Sequence, residues 1–160
     1  MEWRKHNGFI KLVTDNNGAE YFHECGLSEA WNRIDVFFDE IKSFGIDEDA
    51  FWAGAKIFAL SRQEAPCVMI DLDFILWKPV DFTHFGKSLA VIHREDIYQP
   101  VYPPKEFFRF QNGWQLPDWL NWSVRPCNGA LVYFGSQRFL QDYTSFALEF
   151  MQKSNAAKTD

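Results

Sequence analysis

The sequence predicts a single α/β domain with a mostly parallel sheet flanked by helices. Its length of 160 residues fits one domain, and a hydrophobic fraction of 47% supplies enough apolar side chains for a buried core. Strand and helix patterns alternate through the first half, which is typical of parallel strands connected by helices. No internal repeat or linker interrupts the chain, so the domain is expected to span residues 1–160.

Two strands and two helices are predicted in the first part of the chain. The strands are predicted at 9–14 and 33–38, and the helices at 19–25 and 47–63. The polar run 15–18 is typical of a turn, and Gly26 is placed to end the first helix. The second helix begins with three acidic residues, which suit the positive end of its dipole, and it stops before Pro66.

The rest of the chain contains clear patterns around an irregular middle. A strand is predicted from Cys67, and further strands at 89–92 and 127–134. A helix is expected after the N-cap candidate Ser136, and its apolar face consists of Phe139, Tyr143, Phe146 and Phe150. Residues 98–124 form an excursion rich in proline and aromatic residues, long enough to be functional or to cover another part. Residues 154–160 are expected to fray.

Composition excludes several classes of function. The net charge of −6 provides no basic stripe for phosphates, so nucleic-acid binding is not expected. Residues 1–8 lack the apolar stretch of a signal peptide, and no apolar run reaches the ~18–20 residues of a membrane helix. The three cysteines form no CxxC pair, and they are interpreted as small buried residues. We expect a cytoplasmic protein without a membrane span, and association of identical copies stays open.

The stretch 67–77 places two carboxylates between apolar runs. In a strand, residues two apart point to the same side, so Asp71 and Asp73 would converge on one spot. Two convergent carboxylates at a strand end suit a hard divalent cation such as Mg²⁺ or Mn²⁺. The plainer interpretation is that the two aspartates end the strand, one of them capping a turn.

Three motifs in this order resemble the nucleotide-sugar-dependent glycosyltransferases of the GT-A fold. The first is the pair Asp71 and Asp73 after an apolar strand. The second is the helix segment 51–56, in which Lys56 stands 15 positions before Asp71. The third is the run 128–134, which begins Asn128-Gly129 and is similar to the Asn-x-Gly-hydrophobic strand of these enzymes, with the intervening residue absent. The resemblance covers residues 9–151.

The resemblance implies a GT-A-like domain that moves a sugar from a nucleoside-diphosphate sugar to a glycan or other acceptor. In such a domain Asp71 and Asp73 hold Mn²⁺ or Mg²⁺, which bridges the donor phosphates as a Lewis acid. Lys56 pairs with a phosphate oxygen, Asn128 bonds a sugar hydroxyl, and Gly129 lets the backbone approach closely. The residues alone also allow a solvated lysine at 56 and an ordinary turn at 128–129.

Two other functions are open beside an active transferase. Relative to the family pattern the chain is short at both ends, and the first strand is missing or lies outside this chain, which favours a non-catalytic GT-A-like remnant that binds nucleotide sugar or glycan. The run 71–75 also approaches the Asp-x-Asp motif of haloacid-dehalogenase-type phosphatases, in which the first aspartate attacks phosphorus. That family supplies a later acidic pair for Mg²⁺, for which the downstream neighbours here are Glu95 and Asp96.

Several side chains receive no single role from the sequence. Three carboxylates are equivalent candidates for a base that activates the acceptor hydroxyl: Glu95, Asp96 and Asp118. The excursion contains three tryptophans that either stack on an acceptor sugar or pack beneath a lid: Trp114, Trp119 and Trp122. His84 and His93 are expected at the surface, or at positions where their hydrogen bonds are satisfied, rather than on a metal.

Overall fold

The computed structural model describes residues 2–111 and 113–156, and these form a mixed α/β chain. The α-helices in this part are α1 (Glu2–Asn7), α2 (Asn16–Glu24), α3 (Gly54–Leu60) and α4 (Gln137–Lys153). The strands are β1 (Lys11–Thr14), β2 (Arg33–Val36), β3 (Cys67–Ile70), β4 (Leu89–Val91), β5 (Phe108–Phe110), β6 (Leu131–Phe134) and β7 (Ser154–Ala156). Short 3-10 helices lie at Ser28–Ala30, Phe38–Phe44, Phe82–Phe85 and Lys105–Phe107.

The described strands form three small sheets. β1 and β2 are parallel, with Lys11 opposite Arg33. β6 lies between β3 and β4 and is antiparallel to both, and β5 is antiparallel to β7. The prediction of a mostly parallel sheet is therefore wrong for this part of the chain. Alternation of strand and helix produces a parallel pair only at β1 and β2, whereas β6 returns between its two neighbours in the opposite direction.

Strand β6 is the centre of the core. All four of its residues are buried, as expected for a continuous apolar run with neighbours on both sides. Val132 and Phe134 of this strand form a buried cluster with Leu60 of α3 and Leu140 of α4. Because α3, α4 and β6 meet in this cluster, the core fixes the position of β3 and of the segment that follows it.

Helix α4 begins where the sequence predicts it, but its most buried face is a different one. Ser136 is the N-cap, and its side chain accepts a hydrogen bond from the Phe139 N–H. The buried residues of the helix are Leu140, Thr144 and Met151. Phe139 is 43% exposed and the neighbouring Leu140 is buried instead, so the predicted apolar face is wrong at this end of the helix.

Two aspartates decide where the early helices begin. Asp15 accepts a hydrogen bond from the Gly18 N–H at 2.7 Å and caps α2, so the predicted turn 15–18 is the first turn of that helix. Asp47 accepts from the N–H groups of Asp49 and Ala50, which closes a local turn. The helix predicted at 47–63 is reduced to α3, and its first seven residues lie outside the helix.

The excursion 98–124 is tied to the end of the described chain. Its strand β5 pairs with β7, which continues directly from α4. Ser154 is fully buried, and its hydroxyl donates to the Phe150 carbonyl at 2.5 Å. The prediction of fraying is wrong for 154–156, because these residues form β7 and pair with β5. Residues 157–160 lie outside the described residues.

Two further expectations concern cysteines and membrane helices. Cys25 and Cys127 are exposed, so the prediction of buried cysteines is wrong for them. Cys67 in β3 is half-buried, and this burial raises the pKa of its thiol. Among the described helices, none combines the length and the hydropathy that crossing a membrane requires.

Candidate functional site

Asp71 and Asp73 lie at the turn that follows β3. The Asp71 N–H donates to the Ala130 carbonyl at 2.9 Å, and the Asp71 carbonyl accepts from the Phe74 N–H at 3.1 Å. The chain therefore leaves the strand at Asp71, and Asp73 is an exposed residue of the turn. The strand geometry from which convergence of the two carboxylates was predicted does not extend to Asp73.

Lys56 and Asp71 form an ion pair across 15 positions of sequence. The Lys56 Nζ of α3 lies 2.5 Å from Asp71 Oδ1, and both side chains are partly buried. The Lys56 ammonium also lies 5.7 Å from the centre of the Trp52 ring, within cation–π distance. The structure thus brings together the basic residue and the first aspartate that the sequence selects, and Lys56 is not simply a solvated lysine.

A large cleft opens beside this ion pair. Its volume is about 1630 Å³, and β1, β2 and β3 line it together with Lys56, Asp71 and Asp73. Three apolar side chains after the aspartate turn also face the cleft while largely exposed: Leu72, Ile75 and Trp77. The cleft is larger than the ~300–1,000 Å³ of most small-ligand sites.

Basic residues that the sequence patterns did not select also line this cleft. Lys11 and Arg33, opposite each other on β1 and β2, both pair with Asp35, the lysine at 3.1 Å. Partial burial acts to raise the Asp35 pKa, but the hydrogen bonds from Lys11 and Arg33 outweigh it and the pKa is lowered. Lysine and arginine inside apolar strand patterns are the signal that would have found them.

Asn128 holds a second group of polar side chains together. Its Nδ2 donates to Glu95 Oε1 at 2.6 Å, and its Oδ1 accepts from the Ala130 N–H at 2.9 Å. Tyr102 donates to the other oxygen of Glu95. Hydrogen bonds from Tyr102 and then Asn128 hold the pKa of Glu95 below its ordinary value. Partial burial and the Glu95 bond raise the pKa of Tyr102 to about 12.

Ala130 connects the two groups of side chains. Its carbonyl accepts from Asp71 and its N–H donates to Asn128, so both motifs meet at the end of the sheet where β3 stops and β6 starts. A second cavity of about 440 Å³ adjoins Glu95, with Tyr98, Tyr102 and Arg125 in its wall. Asp71 and Asn128, which the sequence selects, thus lie at the same end of this sheet.

The remaining candidates are placed as follows. Gly129 is exposed, and a Cβ added to it would meet no heavy atom within 4 Å, so this glycine serves no close approach within the described residues. Asp96 is almost fully exposed and pairs with Arg125 at 3.0 Å, and Asp118 lines neither of the two cavities. The surface positions predicted for His84 and His93 are confirmed, with 81% and 57% of their side chains exposed.

The described part of the chain contains no group of three or more His, Cys, Asp or Glu side chains placed to hold a metal ion. Mg²⁺ sites of enzymes that act on phosphates often use one or two carboxylates and complete their shell with water and substrate oxygens. A site of this kind would need no third protein ligand beside Asp71 and Asp73.

Comparison with known proteins identifies a family that is described as being of unknown function. No curated protein and no solved structure matches this chain. One family model matches it over residues 1–160, under the description "Family of unknown function (DUF6734)". Because that match extends over the whole sequence, the chain belongs to the Family of unknown function (DUF6734).

Proposed function

We propose that this chain is a metal-dependent glycosyltransferase that uses a nucleoside-diphosphate sugar as donor. The observation that carries the proposal is the Lys56–Asp71 ion pair on the wall of a cleft that the exposed Asp73 also lines. Two carboxylates and one ammonium match the needs of a diphosphate that arrives with a divalent cation. The proposal rests on this site and does not require a mostly parallel sheet.

Each residue of the site has a separate task. Asp71 and Asp73 would hold Mn²⁺ or Mg²⁺, which supplies Lewis-acid stabilisation of the leaving diphosphate when bound. Lys56 neutralises Asp71 in the free protein and gains a second anionic partner when the diphosphate enters. Leu72, Ile75 and Trp77 provide apolar surface in the cleft for a flat base.

Glu95 is the acceptor-side carboxylate in this proposal. Hydrogen bonds from Tyr102 and Asn128 orient it, and Asn128 connects through Ala130 to the backbone of Asp71. A fixed, ionised carboxylate accepts a hydrogen bond from an acceptor hydroxyl and orients it for attack. The cavity beside Glu95, with its exposed Tyr98 ring, offers room for a sugar.

Nucleotide binding gives the first test. Titration calorimetry with uridine and guanosine diphosphates, in Mn²⁺ and in excess chelator, is expected to show binding that depends on the metal. Asp73→Asn should weaken this binding about tenfold or more without a loss of fold, because Asp73 makes no side-chain bond within the described residues. Lys56→Ala should weaken it to a similar extent through the lost positive charge.

A second lysine–aspartate pair provides the matched control. Lys42 lies 2.9 Å from Asp39 on the 3-10 helix Phe38–Phe44, and neither residue lines the cleft. Lys42→Ala is expected to leave nucleotide binding unchanged. Nucleotide binding that does not depend on the metal would contradict the proposed site at Lys56, Asp71 and Asp73. Equal losses of nucleotide affinity in Lys42→Ala and Lys56→Ala would contradict it as well.

Turnover separates the transferase from its alternatives. Metal-dependent hydrolysis of nucleotide sugars, lost in Asp73→Asn, is the result expected of the transferase. Nucleotide binding with no hydrolysis of any donor would instead identify a non-catalytic binding domain. Release of inorganic phosphate from p-nitrophenyl phosphate, lost in Asp71→Asn, would identify a phosphatase of the haloacid-dehalogenase type.

A further inference from the structure

Two cations share one carboxylate on the wall of the cleft. Lys11 and Arg33 are opposite each other on β1 and β2, and both line the cleft. Asp35 offers one oxygen to each, since its Oδ2 lies 3.1 Å from the Lys11 Nζ and its Oδ1 accepts from the Arg33 Nε. Within the described residues, neither cation pairs with any other carboxylate. This Lys11–Asp35–Arg33 cluster therefore carries one positive charge in excess.

Arg33 presents the accessible part of the cluster. The Asp35 side chain is only 13% exposed, whereas that of Arg33 is 65% exposed. The bond to Asp35 uses the Nε of Arg33, and the two terminal nitrogens of the guanidinium have no partner among the described residues. The planar fork of a guanidinium matches the two oxygens of a carboxylate. Arg33 can therefore bind a second carboxylate from the cleft without releasing Asp35.

Lys11 places the cluster relative to the aspartate turn. Its positive charge acts to lower the pKa of the Cys67 thiol, although burial outweighs this effect. The Lys11 ammonium is thus within electrostatic range of Cys67, the first residue of β3. Asp71 lies four residues further along, about 13 Å at the ~3.3 Å rise of a strand. The cluster and the candidate metal site therefore lie towards opposite ends of β3.

Two buried donors of residues that line the same cleft have no acceptor among the described residues. These donors are Asn7 Nδ2 and Trp31 Nε1. In sequence, Trp31 stands two positions before Arg33 and Asn7 four positions before Lys11. The Asn7 Oδ1 accepts from the Val80 N–H at 3.0 Å, which fixes the orientation of this amide. Buried donors are nearly always paired, so this wall of the cleft suits a ligand rich in oxygen acceptors.

We infer that Lys11 and Arg33 bind the carboxylate of a sugar acid. One negative charge on the ligand cancels the excess charge of the cluster, whereas a phosphate monoester carries about −1.5 to −2 at pH 7 and would reverse it. Hydroxyl oxygens of the sugar are the acceptors that the unpaired donors lack. Phe9, two positions before Lys11, lines the cleft and is 65% exposed, so its ring is available to the apolar face of a sugar.

The choice of a sugar as the carrier of the carboxylate rests on the proposed function. The carboxylate site itself rests only on the geometry of β1 and β2. Metal-dependent binding of uridine or guanosine diphosphate tests the nucleotide site alone, because these probes carry no carboxylate. Its failure beside intact glucuronate binding would contradict the proposed function and leave the carboxylate site supported.

Titration with D-glucuronate, followed by NMR at the amides of β1 and β2, tests the inference. Glucuronate is expected to bind about tenfold or more tightly than D-glucose, which has the same ring without the carboxylate. Arg33→Gln should weaken glucuronate binding about tenfold or more, because Asp35 then neutralises the remaining charge of Lys11. Arg33→Lys keeps the charge but loses the planar fork, so it should recover only part of the affinity.

Arg138→Gln is the matched control. Arg138 pairs with Asp142 at 3.7 Å on α4 and lines neither of the two cavities, so its loss should leave glucuronate binding unchanged. Equal affinities for glucuronate and glucose, or an equal loss in Arg138→Gln and Arg33→Gln, would overturn the inference. Inorganic phosphate that binds more tightly than glucuronate would overturn it as well. Acetate that binds as tightly as glucuronate would do the same, because the sugar ring would then contribute nothing.

Discussion

The carboxylate of Glu95 is fixed by two side chains from distant parts of the chain. Tyr102 donates to one oxygen, and Asn128 donates to the other at 2.6 Å. The Tyr102 bond is the stronger of these two influences, which together hold the pKa of Glu95 below its ordinary value. Glu95 is therefore ionised at neutral pH and presents an oriented acceptor to the cavity beside it.

Tyr102→Phe is expected to raise the pKa of Glu95 towards its ordinary value of 4.5, because it removes the stronger of the two bonds. The pKa of Glu95 is lower in the folded chain than in the unfolded chain, so its hydrogen bonds stabilise the fold fully above pH 4.5. This contribution to the free energy of unfolding is lost as pH falls through the folded pKa. The folded pKa of Tyr102 is raised, so its contribution is complete below pH 10 and is lost as pH rises through about 12.

A carboxyl-carbon NMR titration of Glu95 measures this change directly. Tyr98→Phe is the control, because Tyr98 lines the same cavity and donates no hydrogen bond to Glu95. The pKa of Glu95 in Tyr98→Phe should equal its pKa in the parent chain. An equal Glu95 pKa in the parent and in Tyr102→Phe would show that the Tyr102 bond does not form in solution.

The two halves of the candidate site differ in how far sequence could predict them. Lys56 and Asp71 were selected together by a family resemblance, and the structure joins them in an ion pair. The partner of Asn128 was not predicted, because Glu95 lies 33 positions away and carries no local pattern that selects it over Asp96. Only the antiparallel return of β6 beside β4 brings the two together.

At the scale of elements, strands were predictable from their apolar patterns, and their partners were not. The apolar residues of β1, β3 and β6 are visible in the sequence, although of these three strands only β6 is buried along its whole length. Pairing is a long-range property, and the alternation rule gave the wrong direction for β6. The helix expected from 47 begins at Gly54, and the Asp47 side chain accepts from the N–H groups of Asp49 and Ala50 in a turn before it.

Two glycines beside strand β6 have opposite packing. Gly135 follows the strand, and a Cβ there would overlap the carbonyl oxygen of Gly86. The same carbonyl accepts a hydrogen bond from the Tyr133 hydroxyl at 2.8 Å, so it is not free to move away. Gly129 precedes the strand, and a Cβ there would have open space around it.

Gly135→Ala is therefore expected to lower the free energy of unfolding by about 2 kcal/mol, through overpacking against backbone. Gly129→Ala should change it by about 0.5 kcal/mol or less, because the new methyl meets nothing. Urea denaturation of both variants measures the difference. Equal losses would mean that the turn containing Gly86 does not pack against the end of β6 as described.

At the scale of the whole molecule, Phe150 joins regions that are far apart in sequence. Its ring lies 5.7 Å from that of Phe51, 5.3 Å from that of Phe108 and 6.3 Å from that of Trp122, measured between ring centres. Phe51 belongs to the segment before α3, whereas Phe108 of β5 and Trp122 both belong to the excursion 98–124. The excursion is therefore anchored by the C-terminal end of α4, with Trp119 left 67% exposed.

Phe150→Ala is expected to lower the free energy of unfolding by about 3 kcal/mol, since it removes a ring shared by several aromatic neighbours. Phe139→Ala on the same helix is the control and should cost about 1 kcal/mol or less, because that ring is 43% exposed. Urea denaturation gives both values, and hydrogen exchange at Phe108–Phe110 reports the β5–β7 pairing separately. If Phe150 anchors the excursion, these amides lose protection in Phe150→Ala and keep it in Phe139→Ala. Equal protection in the two variants would place the anchor elsewhere, since β5 would then be held without the ring that connects it to α4.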